Sequence, residues 1–351
     1  MRIKSLDVVH RNIPLKMPFK TALRTATEIE SIEVRIQLEN GITGKGAAAP
    51  TWVITGDSTE SIQAALLGPI KQALMKQDIY HFRSLLDTVQ ACCVGNTSAK
   101  AAADIALHDA YSKLFDVPLY QLLGDRKPLK TCMTIGVDTP EKMGADAKKW
   151  VAEGFNSLKV KVGSQPEQDI ARIFAIREVA PVEVTLRLDA NQGWGPKQAV
   201  QIINQLEEKY TGIEFIEQPV AADDLEGLKF VTDHVNLPIM ADESLFSPKD
   251  ALHLVSGHYV DLLNIKLMKC GGIANAWKIA SIAETSGVGC MIGSMMEPAH
   301  SVGAAAHFAA AHPNVIYFDL DAPLWLTEKS LVIAYEGEQL NLSSKPGIGQ
   351  V

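Results

Sequence analysis

The stretch that decides the fold is SLKVKVG at 157–163, taken with four runs of the same kind that follow it: TLRLDAN at 185–191, IEFIEQP at 213–219, IMADES at 239–244 and LLNIKLMK at 262–269. Each run is rich in Val, Ile or Leu, carries charge at or near its C-terminal end, and leads into a helix-like stretch. Read as strands, they deliver Lys159, Asp189, Glu217, Asp242 and Lys266 toward one place. A parallel sheet closed into a barrel does this, because its strand ends converge on one face, where barrel enzymes keep their chemistry. Outward from these runs, strand and helix patterns alternate from about Lys130 to Asp321. Eight strands are expected, at 132–137, 157–162, 184–189, 213–217, 239–242, 262–267, 289–294 and 316–321.

Upstream, to about Gly124, the pattern is α+β. Alternating strands are expected near 6–13 and 32–39, with a hairpin turn at Glu39-Asn40-Gly41 and helices from Ser58 onward. The expected fold class is α/β: a modified TIM barrel of (β/α)7β form over 125–324, with an N-terminal α+β capping domain over 1–124. The short segment 325–351, Gly/Ser-rich at its end, should complete the capping domain. A chain of 351 residues suits that division. The net charge of -8 argues against nucleic acid or an anionic membrane as partner, since both need a basic patch. MRIKSLDVVH at 1–10 has no signal-peptide pattern, and no apolar run is long enough to span a bilayer, so a cytoplasmic location is expected; the charge favours a small-molecule substrate, and a homo-oligomer is the expected assembly. Cys92, Cys93, Cys132, Cys270 and Cys290 form no CxxC pair and are read as reduced thiols, mostly core, with the vicinal pair Cys92-Cys93 standing apart.

Asp189, Glu217 and Asp242 end three consecutive strands, so a barrel brings their carboxylates to a common point. Three crowded carboxylates repel strongly unless a cation sits between them. Oxygen ligands without His or Cys favour a hard divalent ion, Mg²⁺ first and Mn²⁺ next. Any one of these acids alone could instead cap a helix or pair with a lysine; three on successive strands point to a metal.

Lysines flank the acids. Lys159 and Lys161 lie two apart on one strand and so point to one face, while Val160 and Val162 point to the other. Crowding two ammonium groups should lower the pKa of at least one, and burial acts in the same direction, which would fit a base working near neutral pH. Lys266 faces the metal from the opposite side of the barrel. Two bases across a metal suggest proton transfer on both faces of one carbon. Lys269 is expected to be a solvated strand-end lysine.

KVK at 159–161, DAN at 189–191, IEQP at 216–219, ADES at 241–244 and NIKLMKCGG at 264–272, in this order and spacing, resemble the enolase superfamily in its muconate-lactonizing-enzyme-like branch. The resemblance covers essentially the whole chain. It implies that Asp189, Glu217 and Asp242 bind Mg²⁺, that Lys161 and Lys266 are the acid/base pair, and that Lys159 supports the substrate carboxylate. Asp319-Leu320-Asp321 places two carboxylates on one face, where they could hold an ammonium group, and resembles the dipeptide epimerase signature. In that family the pair holds the free amino terminus of a dipeptide while Mg²⁺ holds its terminal carboxylate. FKTALRTATE at 19–28 and TWVITGDS at 51–58 resemble L-Ala-D/L-Glu epimerases, which implies that Arg24 pairs with a glutamate side chain. The same likeness gives Thr134 a substrate contact.

The implied activity is Mg-dependent inversion of the α-carbon of the C-terminal residue in L-Ala-D/L-Glu or related L-Ala-X dipeptides. It runs by two-base 1,1-proton transfer through an enolate. GSMMEPAHS at 293–301 departs from the pattern expected for strict glutamate specificity at Pro298 and His300. Lys266 stands where the mandelate-racemase branch needs an aspartate partner, so His300 is expected to be wall or surface and not a base. Alternatives stay open. An N-acylamino-acid racemase, a cycloisomerase or an o-succinylbenzoate synthase could use the same lysines and metal, though their substrates carry no free amine for Asp319 and Asp321. A Schiff-base aldolase would use Lys161 as nucleophile. A non-catalytic metal-binding barrel would leave the converging lysines unexplained.

Overall fold

The computed structural model describes residues 1–20, 25–163 and 165–349. Strands β1 (Ile3–Lys20), β2 (Thr25–Leu38) and β3 (Thr43–Ala48) form an antiparallel sheet in that order. The Asn40-Gly41 hairpin joins β2 to β3, with Ile42 N–H donating to Asn40 Oδ1 at 3.1 Å. Both β1 and β2 run well past the expected 6–13 and 32–39. Because β1 is an edge strand, Pro14 and Pro18 remove no interior ladder bond, and the ribbon continues to Phe19.

The first long helix, Thr97–Leu114, packs on this sheet through small residues. A Cβ at Gly46 would lie 1.9 Å from the Ala102 carbonyl oxygen, and one at Gly44 would lie 2.1 Å from that of Ala106. The same helix reaches the other half of the molecule, where Asp104 caps the helix Ile273–Thr285 by accepting from Ile273 N–H at 2.7 Å. Gly46→Ala is therefore expected to lower the unfolding free energy by at least the ~1–3 kcal/mol typical of overpacking. Equal stability in a denaturant titration would contradict this close approach.

After β4 (Leu129–Lys130), eight parallel strands follow in sequence order: β5 (Met133–Ile135), β6 (Ser157–Lys161), β7 (Thr185–Asp189), β8 (Ile213–Glu217), β9 (Ile239–Ala241), β10 (Leu262–Lys266), β11 (Gly289–Gly293) and β12 (Val315–Asp319). The ends meet where Cys132 N–H donates to Phe318 O at 3.2 Å and Leu320 N–H donates to Thr131 Oγ1 at 2.9 Å. All eight expected strands are present, with ends shifted by no more than two residues. A helix joins each strand to the next, and only the one-turn helix Ala322–Trp325 follows β12, which gives the (β/α)7β form. The helices at Pro140–Ala152, Pro166–Val179, Pro196–Lys209 and Pro248–Ser256 open on proline, whose missing N–H would be unpaired there anyway.

A hairpin of β13 (Ile333–Glu336) and β14 (Gln339–Leu342) pairs through β14 with β4. Inside the barrel, Phe215, Met240, Leu262 and Met291 form an apolar plug. Arg187 lies over Phe215 and Tyr317 and pairs with Glu214 at 2.7 Å. Charged side chains occupy the inward positions toward the strands' C-terminal ends. Among the described residues no helix is long and apolar enough to cross a membrane.

Candidate active site

The candidate functional side chains sit at or just beyond the strands' C-terminal ends. Asp189 closes β7, and its Oδ1 accepts from Asn191 N–H at 2.9 Å. Glu217 closes β8, and its Oε1 accepts from Asn264 Nδ2 on β10 at 2.8 Å. Gln218, at the strained φ of 37°, turns its side chain between strands, with Oε1 accepting from Asp242 N–H at 2.9 Å and Ser244 N–H at 3.2 Å. The loops after β6 and β7 pack backbone to backbone beside these groups. Gly163 has φ +92°, and a Cβ there would lie 2.0 Å from Ala190 O.

Asp189, Glu217 and Asp242 are buried, and each offers an oxygen within 4.8 Å of the others. Lys159 Nζ lies 2.7 Å from Glu217 Oε2, yet that oxygen has no aligned hydrogen-bond donor. Burial first, then the Asp189 charge, pushes the Glu217 carboxyl up to about 8. Burial also acts to raise Asp189, but Lys161 and Lys159 outweigh it and hold it at about 2. A cluster of all-oxygen donors, with one carboxyl driven toward neutrality by burial and by the Asp189 charge, fits a hard divalent cation.

The lysines converge on the same carboxylates. Lys161 donates to Asp189 Oδ2 at 2.6 Å and Lys266 to Asp242 Oδ2 at 2.7 Å, each its single hydrogen bond among the described residues. β7, β8 and β9 separate β6 from β10, so the two ammonium groups approach from opposite sides. Lys159 donates to Asp319 Oδ2 at 2.8 Å and lies 3.1 Å from Asp189 Oδ2. The expected lowering of a lysine pKa does not hold for Lys159. Burial lowers it, but Asp319, Glu217, Asp189 and Asp242 together outweigh burial, leaving it well above the ordinary lysine range. For Lys266, burial is likewise outweighed, chiefly by Asp242, and its pKa is raised.

Lys269 is not the solvated lysine expected from sequence. It is 1% exposed, because the one-turn helix Leu267–Cys270 folds it back onto Asp242 and Asn264.

Asp319 and Asp321 both line the pocket. Asp321 Oδ2 accepts from Thr134 N–H at 2.8 Å and from Trp325 Nε1–H at 3.2 Å. Burial, then the Asp319 charge, pushes its carboxyl up to about 6. Phe19 at the tip of β1 packs edge-on against Trp325, with ring centroids 5.1 Å apart. Lys159, Lys161, Lys266 and Thr134 line the same cleft.

Its apolar walls are Phe19, Val53, Ile54, Met295, Met296 and Ala322. The sequence reading did not single these out, although Met295 and Met296 lie in the quoted 293–301 segment and Val53 and Ile54 in 51–58. Asn191, inside the quoted DAN, also lines the cleft, and its Nδ2 donates to Glu243 Oε1 at 3.2 Å. Glu297 is a further missed residue: it is buried and accepts from Met295 N–H at 2.7 Å. His300 lies away from this cleft, its Nε2–H donating to Lys45 O at 2.7 Å. Arg24 lies outside the described residues. Cys132, Cys270 and Cys290 are buried, Cys92 and Cys93 are half-buried, and all five are free thiols.

Two domain families account for nearly all of the chain. Residues 3–124 match the mandelate racemase / muconate lactonizing enzyme N-terminal domain, and residues 142–351 match the enolase C-terminal domain-like family. The chain belongs to this mandelate racemase / muconate lactonizing enzyme group within the enolase superfamily. Among its relatives, it is 47% identical to the L-Ala-D/L-Glu epimerase of Clostridium acetobutylicum, over 99% of this chain and 98% of that one. The substrate-liganded structure of the L-Ala-D/L-Glu epimerase from Bacillus subtilis superposes with a TM-score of 0.97 at 47% identity, covering 99% of this chain and 98% of the other. The Enterococcus faecalis dipeptide epimerase complexed with Mg and L-Leu-L-Tyr superposes with a TM-score of 0.95 at 42% identity, covering 99% of both chains.

Proposed function

We propose that this protein is a Mg²⁺-dependent dipeptide epimerase that inverts the α-carbon of the C-terminal residue. The observation that carries the reading is the placement of Lys161 and Lys266 on opposite sides of one cleft lined also by Asp319 and Asp321, each lysine donating to a carboxylate of the buried acidic triad, Asp189 or Asp242. The names of its relatives support the dipeptide as substrate.

Asp189, Glu217 and Asp242 would hold the metal. When bound, Mg²⁺ supplies positive charge to the substrate carboxylate whose α-proton is removed. Lys159 adds a fixed cation on the same side. Lys161 or Lys266 takes the α-proton, and the other lysine delivers a proton to the opposite face. Asp319 and Asp321 bind the free ammonium terminus, with Thr134 N–H orienting Asp321. Phe19, Val53, Ile54, Met295 and Met296 exclude water around the side chains.

The same reading divides the chain into a capping domain, 1–124 completed by 325–351, and a barrel, 125–324. Thr327 N–H donates to Pro14 O at 3.1 Å and Ile348 N–H to Asp109 Oδ1 at 2.9 Å, which supports assigning the last segment to the cap, although β14 also pairs with β4.

The test is incubation with a dipeptide set in D₂O. Deuterium should enter only the C-terminal α-position, with inversion; label without inversion, or none with any dipeptide, would contradict the proposal. Asp321→Asn should lower kcat/KM for L-Ala-L-Glu and L-Ala-L-Leu alike, by about ten- to a hundredfold, as expected for a charge-assisted bond worth ~1.5–3 kcal/mol. Arg24→Met should affect only the glutamate dipeptide. Equal losses for both substrates in Arg24→Met would mean that the arginine orders its loop and that the enzyme acts on Ala-X dipeptides generally.

A further inference from the structure

Lys269 stands three residues beyond Lys266, and its ammonium is fully used. Its three N–H bonds meet three acceptors: Asp242 O, Asp242 Oδ1 and Asn264 O, the last at 3.2 Å. The Phe246 ring covers it at 5.8 Å. No donor is left for a substrate, and Lys269 is not among the cleft's lining residues, whereas Lys161 and Lys266 are. Asp242 is thus gripped at both oxygens, Oδ1 by Lys269 and Oδ2 by Lys266 at 2.7 Å. Asn264, whose carbonyl Lys269 binds, orients Glu217 through its side-chain amide at 2.8 Å. One buried ammonium therefore ties together the end of β9, one carboxylate oxygen of Asp242 and the strand that aims Glu217.

We propose that Lys269 is a positioning residue for the divalent-cation site, fixing Asp242 and the spacing of β9 and β10 so that the oxygens of Asp189, Glu217 and Asp242 converge, while handling no substrate proton. The inference rests on the functional reading above, in which that triad holds Mg²⁺.

Removing Lys269 has two opposed effects. Losing a positive charge would reduce repulsion toward the cation and tighten binding. Losing the ammonium would take from Asp242 Oδ1 its Lys269 donor and free the carboxylate to rotate, weakening binding, while Asp242 O would keep Leu245 N–H. The second effect should win, because the Lys269 charge is already neutralised by Asp242 Oδ1 at 2.5 Å and acts on the cation as half of a pair. The expected net loss is the ~10–100-fold typical of an outer-shell partner of a metal ligand.

The test is titration of the full-length protein with Mg²⁺ and Mn²⁺ by calorimetry, comparing wild type, Lys269→Met and Lys269→Gln. The Gln variant keeps a donor and serves if the Met variant fails to fold. Both variants should bind about 10–100-fold more weakly, Gln the less affected, and excess Mg²⁺ should return their kcat close to wild type. Variants that bind as tightly as wild type, or more tightly, would overturn the positioning role and leave the metal reading standing. Loss of kcat that Mg²⁺ does not rescue would overturn it too, placing Lys269 in the chemistry. A wild-type protein that binds no divalent ion would instead remove the functional reading on which the inference rests.

Discussion

Lys161→Ala and Lys266→Ala are each expected to abolish epimerisation, with losses of at least the ~10²–10⁴-fold that a general acid/base residue supplies. Each lysine ends a strand on its own side of the acidic triad, so neither ammonium can reach the other's face of a bound α-carbon without moving across β7, β8 and β9. Inversion needs both faces, because one group removes a proton and the other supplies one. A residual rate in either variant near that of wild type would show that one lysine, or water, can serve both faces. The double variant should lose little beyond either single one, since groups that act as a unit are not additive.

Exhaustive chelation should abolish turnover, and Mg²⁺ should restore it. Asp242→Asn is the sharper probe. It keeps the shape of the side chain while removing the charge that both Lys266 and Lys269 pair with. Asp242→Ala would add a cavity to the loss of charge, whereas both variants leave Lys266 and Lys269 uncompensated, at a cost of ~3–5 kcal/mol in stability. In Asp242→Asn, metal affinity should fall by more than the ~10–100-fold expected for an outer-shell change such as Lys269→Gln. Calorimetric titration with Mg²⁺ reads this directly, and full activity after chelation would contradict the assignment.

The barrel and the core of the site were legible in the sequence because their chemistry sits at the ends of apolar runs. A charge closing a run of Val, Ile and Leu can only be placed at a strand end, and the order of runs gives the order of strands. That logic brought Lys161, Asp189, Glu217, Asp242 and Lys266 together, and the structure has the three acids clustered with both lysines bonded to them.

It failed for Lys269. A strand continued past Lys266 would have carried that lysine into solvent, but the chain turns at once into the helix Leu267–Cys270, closed by Gly271 at φ +84°, and folds the side chain back beneath Asp242. That Lys159 is not the lysine with a lowered pKa was hidden for a related reason. Spacing shows its neighbour Lys161, two residues away, but not the four carboxylates that the closed sheet gathers around it.

The apolar lid was illegible in kind. Phe19 meets Trp325 from the far end of the β1–β2 ribbon, and Val53 and Ile54 come to the cleft from the first domain, which the helix Thr97–Leu114 joins to the barrel through Asp104. Neither distance is written in local pattern. Side-chain preference therefore has to be settled by measuring paired charged and apolar substrates.

The central claim, two lysines acting on opposite faces of one carbon, is tested most directly by stereospecific exchange. Lys161→Ala and Lys266→Ala would each be incubated in D₂O with the separate epimers L-Ala-L-Glu and L-Ala-D-Glu, and label at the C-terminal α-carbon followed by proton NMR. Each variant should exchange the α-proton of one epimer without inverting it, and the two should choose opposite epimers. Exchange of the same epimer by both variants would contradict the two-face arrangement.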